Sequence, residues 1–374
     1  MFTPISYIAT KVLLQRFTSL NGYSFIRYIH KAPATLPTTM QVIHQYDSKS
    51  TKLTLDKDEP LPVLSDPDEC LIRIYTSAPC LGELHWEEWF PHLFSKGRER
   101  VPGTEAAGVI VKMGGAASTF EVGDEVFFRL APGQTGSLRQ YSVARIAQMA
   151  HKPKNVSWVE AGATPLSSLT AWQGLFQHGI LNPQGLFGDE EAREKNAKLS
   201  VLLTGSTGVV GSWATQLARL AGAGRIVALT SGDGADEAMK LGATVVIDYK
   251  QQSISEWVGR DTATREVDAV LDCVGGNTLA SCWSAVKEGG TLLSVTGDPQ
   301  SVKPDSVTKK LAEAKWYLVE GRGDQLEHIA KLLGEGKVST KIDSAVGWVD
   351  FQAAFDKVEE KKAKGKVVIQ VRED

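Results

Sequence analysis

From Met40 to about Val143 the chain runs in short apolar stretches broken by Gly and Pro. "CLIRIYT" (Cys70–Thr76), "AAGVIVKM" (Ala106–Met113) and "DEVFFRL" (Asp124–Leu130) are rich in β-branched and aromatic residues and predict strands. "GGAAST" and "APGQTGS" are turn material between such runs. The pattern changes after about Ala161. "PLSSLTAWQGLFQHG" predicts a helix closed by Gly179, and the polar, charged "LNPQGLFGDEEAREKNAK" reads as a loop. Apolar runs then alternate with helical segments. "KLSVLLT" precedes a helix from Val210, "RIVALT" precedes "ADEAMKLG", and "ATVVIDY" precedes "ISEWVG". "VDAVLDCV" precedes "NTLASCWSAVKEG", and "GTLLSVTG" closes the series. This alternation predicts an α/β fold with a doubly wound parallel sheet. Past Pro304 come two helical segments, "GDQLEHIAKLLGEG" and "DFQAAFDKVEEKKAKG", and a last strand, "KVVIQV".

Length and composition narrow the class. The chain has 374 residues, 42% hydrophobic and 23% charged, which suits two globular domains. A net charge of −3 gives nucleic-acid binding no support. No run reaches the roughly 18 apolar residues of a membrane span. Cys70, Cys80, Cys273 and Cys282 are scattered with no CxxC spacing, as in a reduced intracellular protein. The first residues stand apart: Lys11, Arg16, Arg27 and Lys31 occur with many hydroxyl residues, and no acid precedes Asp47. Residues 1–39 therefore read as a leader with the composition of a mitochondrial transit peptide. The alternatives are a disordered tail, or a start at Met40, on a cytoplasmic protein.

One stretch carries chemistry. "GSTGVVG" joins the run ending at Thr204 to the helix that follows. Phosphates need backbone N–H donors at a helix N-terminus with no side chain in the way. Read against GxGxxG, Ser206 takes the first glycine's place, Gly208 admits a pyrophosphate, and Gly211 lets the helix pack on its strand. Gly205, Thr207, Val209 and Val210 complete the turn, which predicts a dinucleotide site. Val210, Ala214, Leu217 and Ala221 predict the helix's buried face. NAD sites carry an acid at the end of the second strand; here Ser231 stands near that place and leaves room for a 2′-phosphate. Lys240, Tyr249 and Lys250 are available partners, and Asp233 is close. This favours NADPH, with NADH as the alternative.

From about Met40 to Val371 the chain resembles the medium-chain dehydrogenase/reductase superfamily, in its zinc-independent, quinone oxidoreductase-like branch. The resemblance rests on "VPGTEAAGVIVKMGGAASTFEVGDEVF", "GSLRQYSVA", "GATPLSSLTAWQGL", "DCVGG" and "GKVVIQV". It implies a GroES-like catalytic domain at residues 40–160 and 310–374 around a Rossmann domain at 161–309, with the active cleft between them. Members are commonly dimers, so a homodimer is implied. Zinc members of the superfamily carry Cys, a His in GHE, and a third ligand. Here Cys80 is near the first place, the GHE segment reads Gly103-Thr104-Glu105, and Ala163–Thr170 offers no Cys or His. No catalytic zinc is expected.

The resemblance implies hydride transfer from the nicotinamide to a quinone or to the C=C of an α,β-unsaturated carbonyl. Its alternatives are an enoyl thioester reductase, a zinc-type alcohol dehydrogenase, and a non-enzymatic NADPH-binding protein. Cys80 and Trp86 are implied to line the substrate pocket, with Trp89 and Phe90 making its wall aromatic. Glu83, then His85, are the catalytic candidates. Thr170, Val274, Gly275, Ser294, Val295 and Lys366 are implied cofactor contacts.

Overall fold

A computed structural model describes residues 35–94 and 96–372. The leader reading falls mainly on residues 1–34, outside the described residues, while Thr39 already opens a strand. Among the described residues no helix is long and apolar enough to cross a membrane.

The first part of the chain is a β-structure. Strands β1 (Thr39–His44) and β2 (Thr54–Pro60) form an antiparallel pair. Then come β3 (Glu69–Ser77), β4 (Glu105–Met113), β5 (Glu125–Arg129), β6 (Tyr141–Arg145) and β7 (Met149–His151). Their alternate faces bury Leu71, Ile72, Ile74, Val109, Ile110, Phe127 and Phe128. The helix Pro165–Trp172 leads out of this part.

Five further strands with a sixth at the edge build the second sheet: β8 (Ser200–Thr204), β9 (Arg225–Thr230), β10 (Val245–Asp248), β11 (Val267–Asp272), β12 (Val286–Ser294) and β13 (Glu313–Trp316). The order is β10-β9-β8-β11-β12-β13, and every pair is parallel. The order reverses between β8 and β11, so their carboxyl ends bound a crevice, the usual ligand position in such sheets. The helix Val209–Ala221 follows β8 and buries Trp213, Ala214, Leu217, Ala218 and Ala221. Each large side chain buried there contributes about 1.5–3 kcal/mol. Gly222, at φ 87°, ends the helix, with Ala223 N–H returning to the Ala218 carbonyl at 3.0 Å. Val210, expected on the buried face, is partly buried against the core and, lying in the first turn, also lines the crevice.

The chain then returns to the first sheet. Strands β14 (Ile342–Gly347) and β15 (Lys366–Gln370) extend it to the order β14-β15-β3-β4-β5-β7, with β6 paired to β3. The helix Phe351–Glu359 lies between them. The expected boundary at residue 310 needs correction. β13 pairs with β12 in the parallel sheet, so the return comes after Trp316. Two local expectations also change. The charged loop contains a helix, Glu190–Asn196, started by Asp189, whose carboxylate accepts from Ala192 N–H at 2.8 Å. The helix expected through "NTLASCWSAVKEG" stops at Ala285, because Val286 already pairs with Val267.

Candidate active site

The glycine turn leaves β8 at Gly205, whose φ of 58° is a left-handed value. Gly208 is the helix N-cap and supplies no side-chain acceptor, so side chains leave the first-turn N–H groups free. A Cβ on Gly211 would lie 2.1 Å from the Gly205 carbonyl oxygen, so only glycine lets the helix start this close to the turn. Gly205, Gly208, Val209, Val210 and Gly211 line a cleft of about 340 Å³. Free donors, a helix N-terminus and no obstructing side chain fit a dinucleotide pyrophosphate. Ser206 and Thr207 are otherwise engaged. The Ser206 hydroxyl is buried and donates to the Leu229 carbonyl at 3.2 Å, and the Thr207 and Thr230 hydroxyls lie 2.8 Å apart. Both tie the turn to β9 rather than presenting a hydroxyl to a ligand.

The ends of β9 and β10 lie side by side. Ser231 follows β9, and Tyr249 N–H donates to the Thr230 carbonyl at 3.1 Å. The Tyr249 ring is exposed, and Lys250 Nζ is 3.6 Å from the Asp233 carboxylate. The structure thus gathers Ser231, Tyr249 and Lys250 at one edge, together with the acids Asp233 and Asp248.

At the end of β11, Asp272 is fully buried and organises three strand ends, a role the sequence did not signal. It accepts from the hydroxyls of Thr204 at 2.7 Å, Ser294 at 3.0 Å and Thr296 at 3.0 Å, and from Gly275 N–H at 3.0 Å. Ser294 is therefore a strut under the site and not a cofactor contact, whereas its neighbour Val295 lines the cleft. Val274 is half exposed and covers Gly205, its Cγ2 3.2 Å from where a Gly205 Cβ would stand. Gly275, at φ 83°, sits against Thr296.

Beside the cleft lies a cavity of about 700 Å³, within the usual range of ligand sites. Cys80, Leu81, Ser167, Val210, Val295 and Lys361 line both, so the two spaces meet along one wall. Trp86, Trp89 and Phe90 form the aromatic wall, and Phe90 stacks on Trp316 with centroids 5.8 Å apart. His85 lines the cavity and stacks on Trp89 at 5.3 Å. Thr170 also lines it, its hydroxyl donating to the Leu166 carbonyl at 2.7 Å.

Glu83 does not line that cavity. Its carboxylate accepts from Cys80 N–H at 3.0 Å and Gly103 N–H at 2.6 Å, bracing two loops from beneath. Burial pushes its carboxyl up to about 7, although both backbone donors and Lys366 pull it down. Lys366 lines the glycine-turn cleft but is buried and ion-paired with Glu105. Burial works against its ammonium, but the Glu105 charge and hydrogen bond, together with the charges of Cys80 and Glu83, outweigh it and raise its pKa. Burial pushes the Cys80 thiol up to about 12, so it stays protonated at neutral pH. Thr104, in the place of the GHE histidine, has a buried hydroxyl with no partner among the described residues. Cys80, Thr104 and the hydroxyl and apolar residues of 163–170 do not offer zinc three protein ligands. Among the described residues, the converging group of possible metal ligands is His44, Asp56 and Glu59, which line neither space.

Known proteins match this architecture along most of the chain. Residues 66–154 match the alcohol dehydrogenase GroES-like domain, and residues 241–369 match the zinc-binding dehydrogenase family. A probable mitochondrial zinc-binding oxidoreductase of Arthroderma benhamiae is 38% identical over 340 residues, 90% of this chain and 98% of that protein. The chloroplastic quinone-oxidoreductase QR1 of Triphysaria versicolor is 29% identical over 336 residues, 87% of this chain and 97% of that one. The quinone oxidoreductase structure from Coxiella burnetii superposes with a TM-score of 0.71 at 21% identity, covering 89% of this chain and 99% of that one. The chain belongs to the medium-chain dehydrogenase/reductase superfamily, in its quinone oxidoreductase-like branch.

Proposed function

We propose that this oxidoreductase is a zinc-independent, NADPH-dependent reductase of quinones or α,β-unsaturated carbonyls. The observation that carries the reading is the shared wall between a glycine-lined cleft and an aromatic cavity. The first-turn N–H groups after Gly208 hold the pyrophosphate. Ser231, Tyr249 and Lys250 receive the 2′-phosphate. Bound there, the reduced nicotinamide supplies a hydride. Trp86, Trp89 and Phe90 hold a flat acceptor and exclude water. Cys80, neutral and compact, packs at the junction. His85 is the catalytic candidate that lines the cavity, and a proton reaches the product from it or from water. The quinone substrate class is supported by the name of the Triphysaria relative. A mitochondrial location is supported by the leader's composition and the Arthroderma relative.

The test is the loss of NADPH absorbance by metal-free protein, with NADH in parallel, against a quinone, an enone and a 2-enoyl thioester. Turnover with the first two acceptors is expected. Stoichiometric zinc that is required for turnover would overturn the zinc-independent reading.

A further inference from the structure

Arg129 ends β5, where its register partner is Glu105 of β4. It is 1% exposed and lines the large cavity. Among the described residues its side chain has no hydrogen-bond or ion-pair partner, and its Nε is a buried donor without an acceptor. Against its burial, three carboxylates raise its pKa through their charge, Glu105, Glu83 and Glu320, and none bonds to it; Glu320 lies 4.0 Å from Arg322. Glu105 takes Lys366 and the Leu166 N–H, and Glu83 takes the Cys80 and Gly103 N–H groups. Burial lowers the guanidinium's pKa to about 10, which leaves it a cation at neutral pH. Its charge is felt by Cys80, which lies on the wall shared with the cofactor cleft. A buried cation with unspent donors is costly unless an acceptor oxygen meets it.

We propose that Arg129 is the oxygen-binding residue of the cavity: its planar fork takes the carbonyl oxygen of a flat conjugated acceptor and holds the oxyanion that hydride addition creates. This rests on the reductase reading above. In that step a C–H bond forms at the acceptor carbon, and the C=C π pair moves through the conjugated system onto the carbonyl oxygen. The acceptor gains two electrons, NADPH loses two and leaves as NADP⁺, and a proton from His85 or water completes the product. Positive charge placed beforehand at the developing oxyanion lowers the barrier without reorganising solvent. Because Arg129 touches the reacting oxygen, it is a catalytic residue.

Benzoate mimics an oxyanion on a flat ring, and benzyl alcohol is its neutral counterpart. Trp86, Trp89 and Trp316 line the cavity, so tryptophan fluorescence of the full chain reports binding of either. Benzoate is expected to bind about tenfold or more tightly than benzyl alcohol, and R129M is expected to abolish that preference. R129Q, neutral but still able to donate, serves as a second variant if R129M does not fold. With the best acceptor, kcat is expected to fall roughly 100-fold in either variant, with NADPH affinity unchanged. Equal binding of the two probes by the wild type, or an undiminished benzoate preference in a folded variant, overturns the proposal. Failure of the wild type to oxidise NADPH with any acceptor overturns the reductase reading, while the benzoate titration still decides whether Arg129 is an oxyanion site.

Discussion

The ammonium of Lys366 is bonded to the carboxylate of Glu105, joining the first residue of β15 to the first residue of β4. The other Glu105 oxygen accepts from Leu166 N–H at 2.8 Å, so one carboxylate also holds the helix leading to the parallel sheet. Both charges are buried. Removing one leaves the other uncompensated, so K366M alone is expected to cost about 3–5 kcal/mol. The double variant K366M/E105Q should recover about half of that, since Gln keeps an acceptor for Leu166. Denaturant unfolding of the three proteins measures this. A K366M protein of near wild-type stability with weakened NADPH binding would instead make Lys366 a cofactor ligand.

The glycine turn makes a sharper prediction. In G211A the new Cβ must displace the Gly205 carbonyl, 2.1 Å away, and with it the turn that presents the first-turn N–H groups. Overpacking of this kind costs about 1–3 kcal/mol, so NADPH affinity should fall roughly tenfold or more. Gly259, in the helix Ile254–Gly259, has nothing within 4 Å of a built Cβ. G259A should leave NADPH binding alone and stabilise the protein by up to about 1 kcal/mol. Equal NADPH affinity in G211A and G259A would dissociate the cofactor from this turn.

Selection between NADPH and NADH is expected at the edge formed by Ser231, Tyr249 and Lys250. Lys250 is exposed and already 3.6 Å from Asp233, so its charge contributes modestly. K250A should weaken NADPH binding by less than about tenfold and leave NADH unchanged. Added salt should weaken NADPH binding in the wild type and less so in K250A. Isothermal titration with each cofactor at two salt concentrations checks this. Salt-insensitive NADPH binding would place the 2′-phosphate elsewhere.

Much of this architecture was legible before the structure. Alternating runs such as "RIVALT" and "VDAVLDC" are buried on both faces because helices cover both sides of the sheet, which makes parallel strands conspicuous. The glycine turn was legible because its spacing answers a steric need local to the chain. Side-chain direction was not. Glu83, beside Cys80, looked like a catalytic acid, yet its carboxylate turns toward Gly103, twenty positions on. Ser206 and Ser294 looked like cofactor contacts, but their hydroxyls serve Leu229 and Asp272. Arg129 carried no signal at all. A cation ending a strand usually reaches water, and its lack of a partner depends on Glu105 and Glu83 being taken by Lys366 and Gly103, both distant in sequence.

Glu83 links stability to pH in a direction opposite to most carboxylates. Its folded pKa, raised to about 7, exceeds the ordinary 4.5. Below the ordinary value both folded and unfolded chains carry the proton, and stability from this group is fully present. Between the two values the unfolded chain gives up its proton first, so rising pH favours unfolding. Above about pH 7 the loss levels off, at up to about 3 kcal/mol. His44, whose pKa is raised by Glu99 and Asp56 against its own burial, also loses stability as pH rises, so the wild type alone is not diagnostic. The difference between E83Q and wild type is. At pH 5, E83Q should be the less stable, because its amide sets a donor against the Cys80 or Gly103 N–H. By pH 8 that gap should shrink or reverse by about 2–3 kcal/mol. Urea unfolding at both pH values gives the comparison, and a gap that stays constant would mean that the two backbone donors outweigh burial and Glu83 ionises as an ordinary carboxylate.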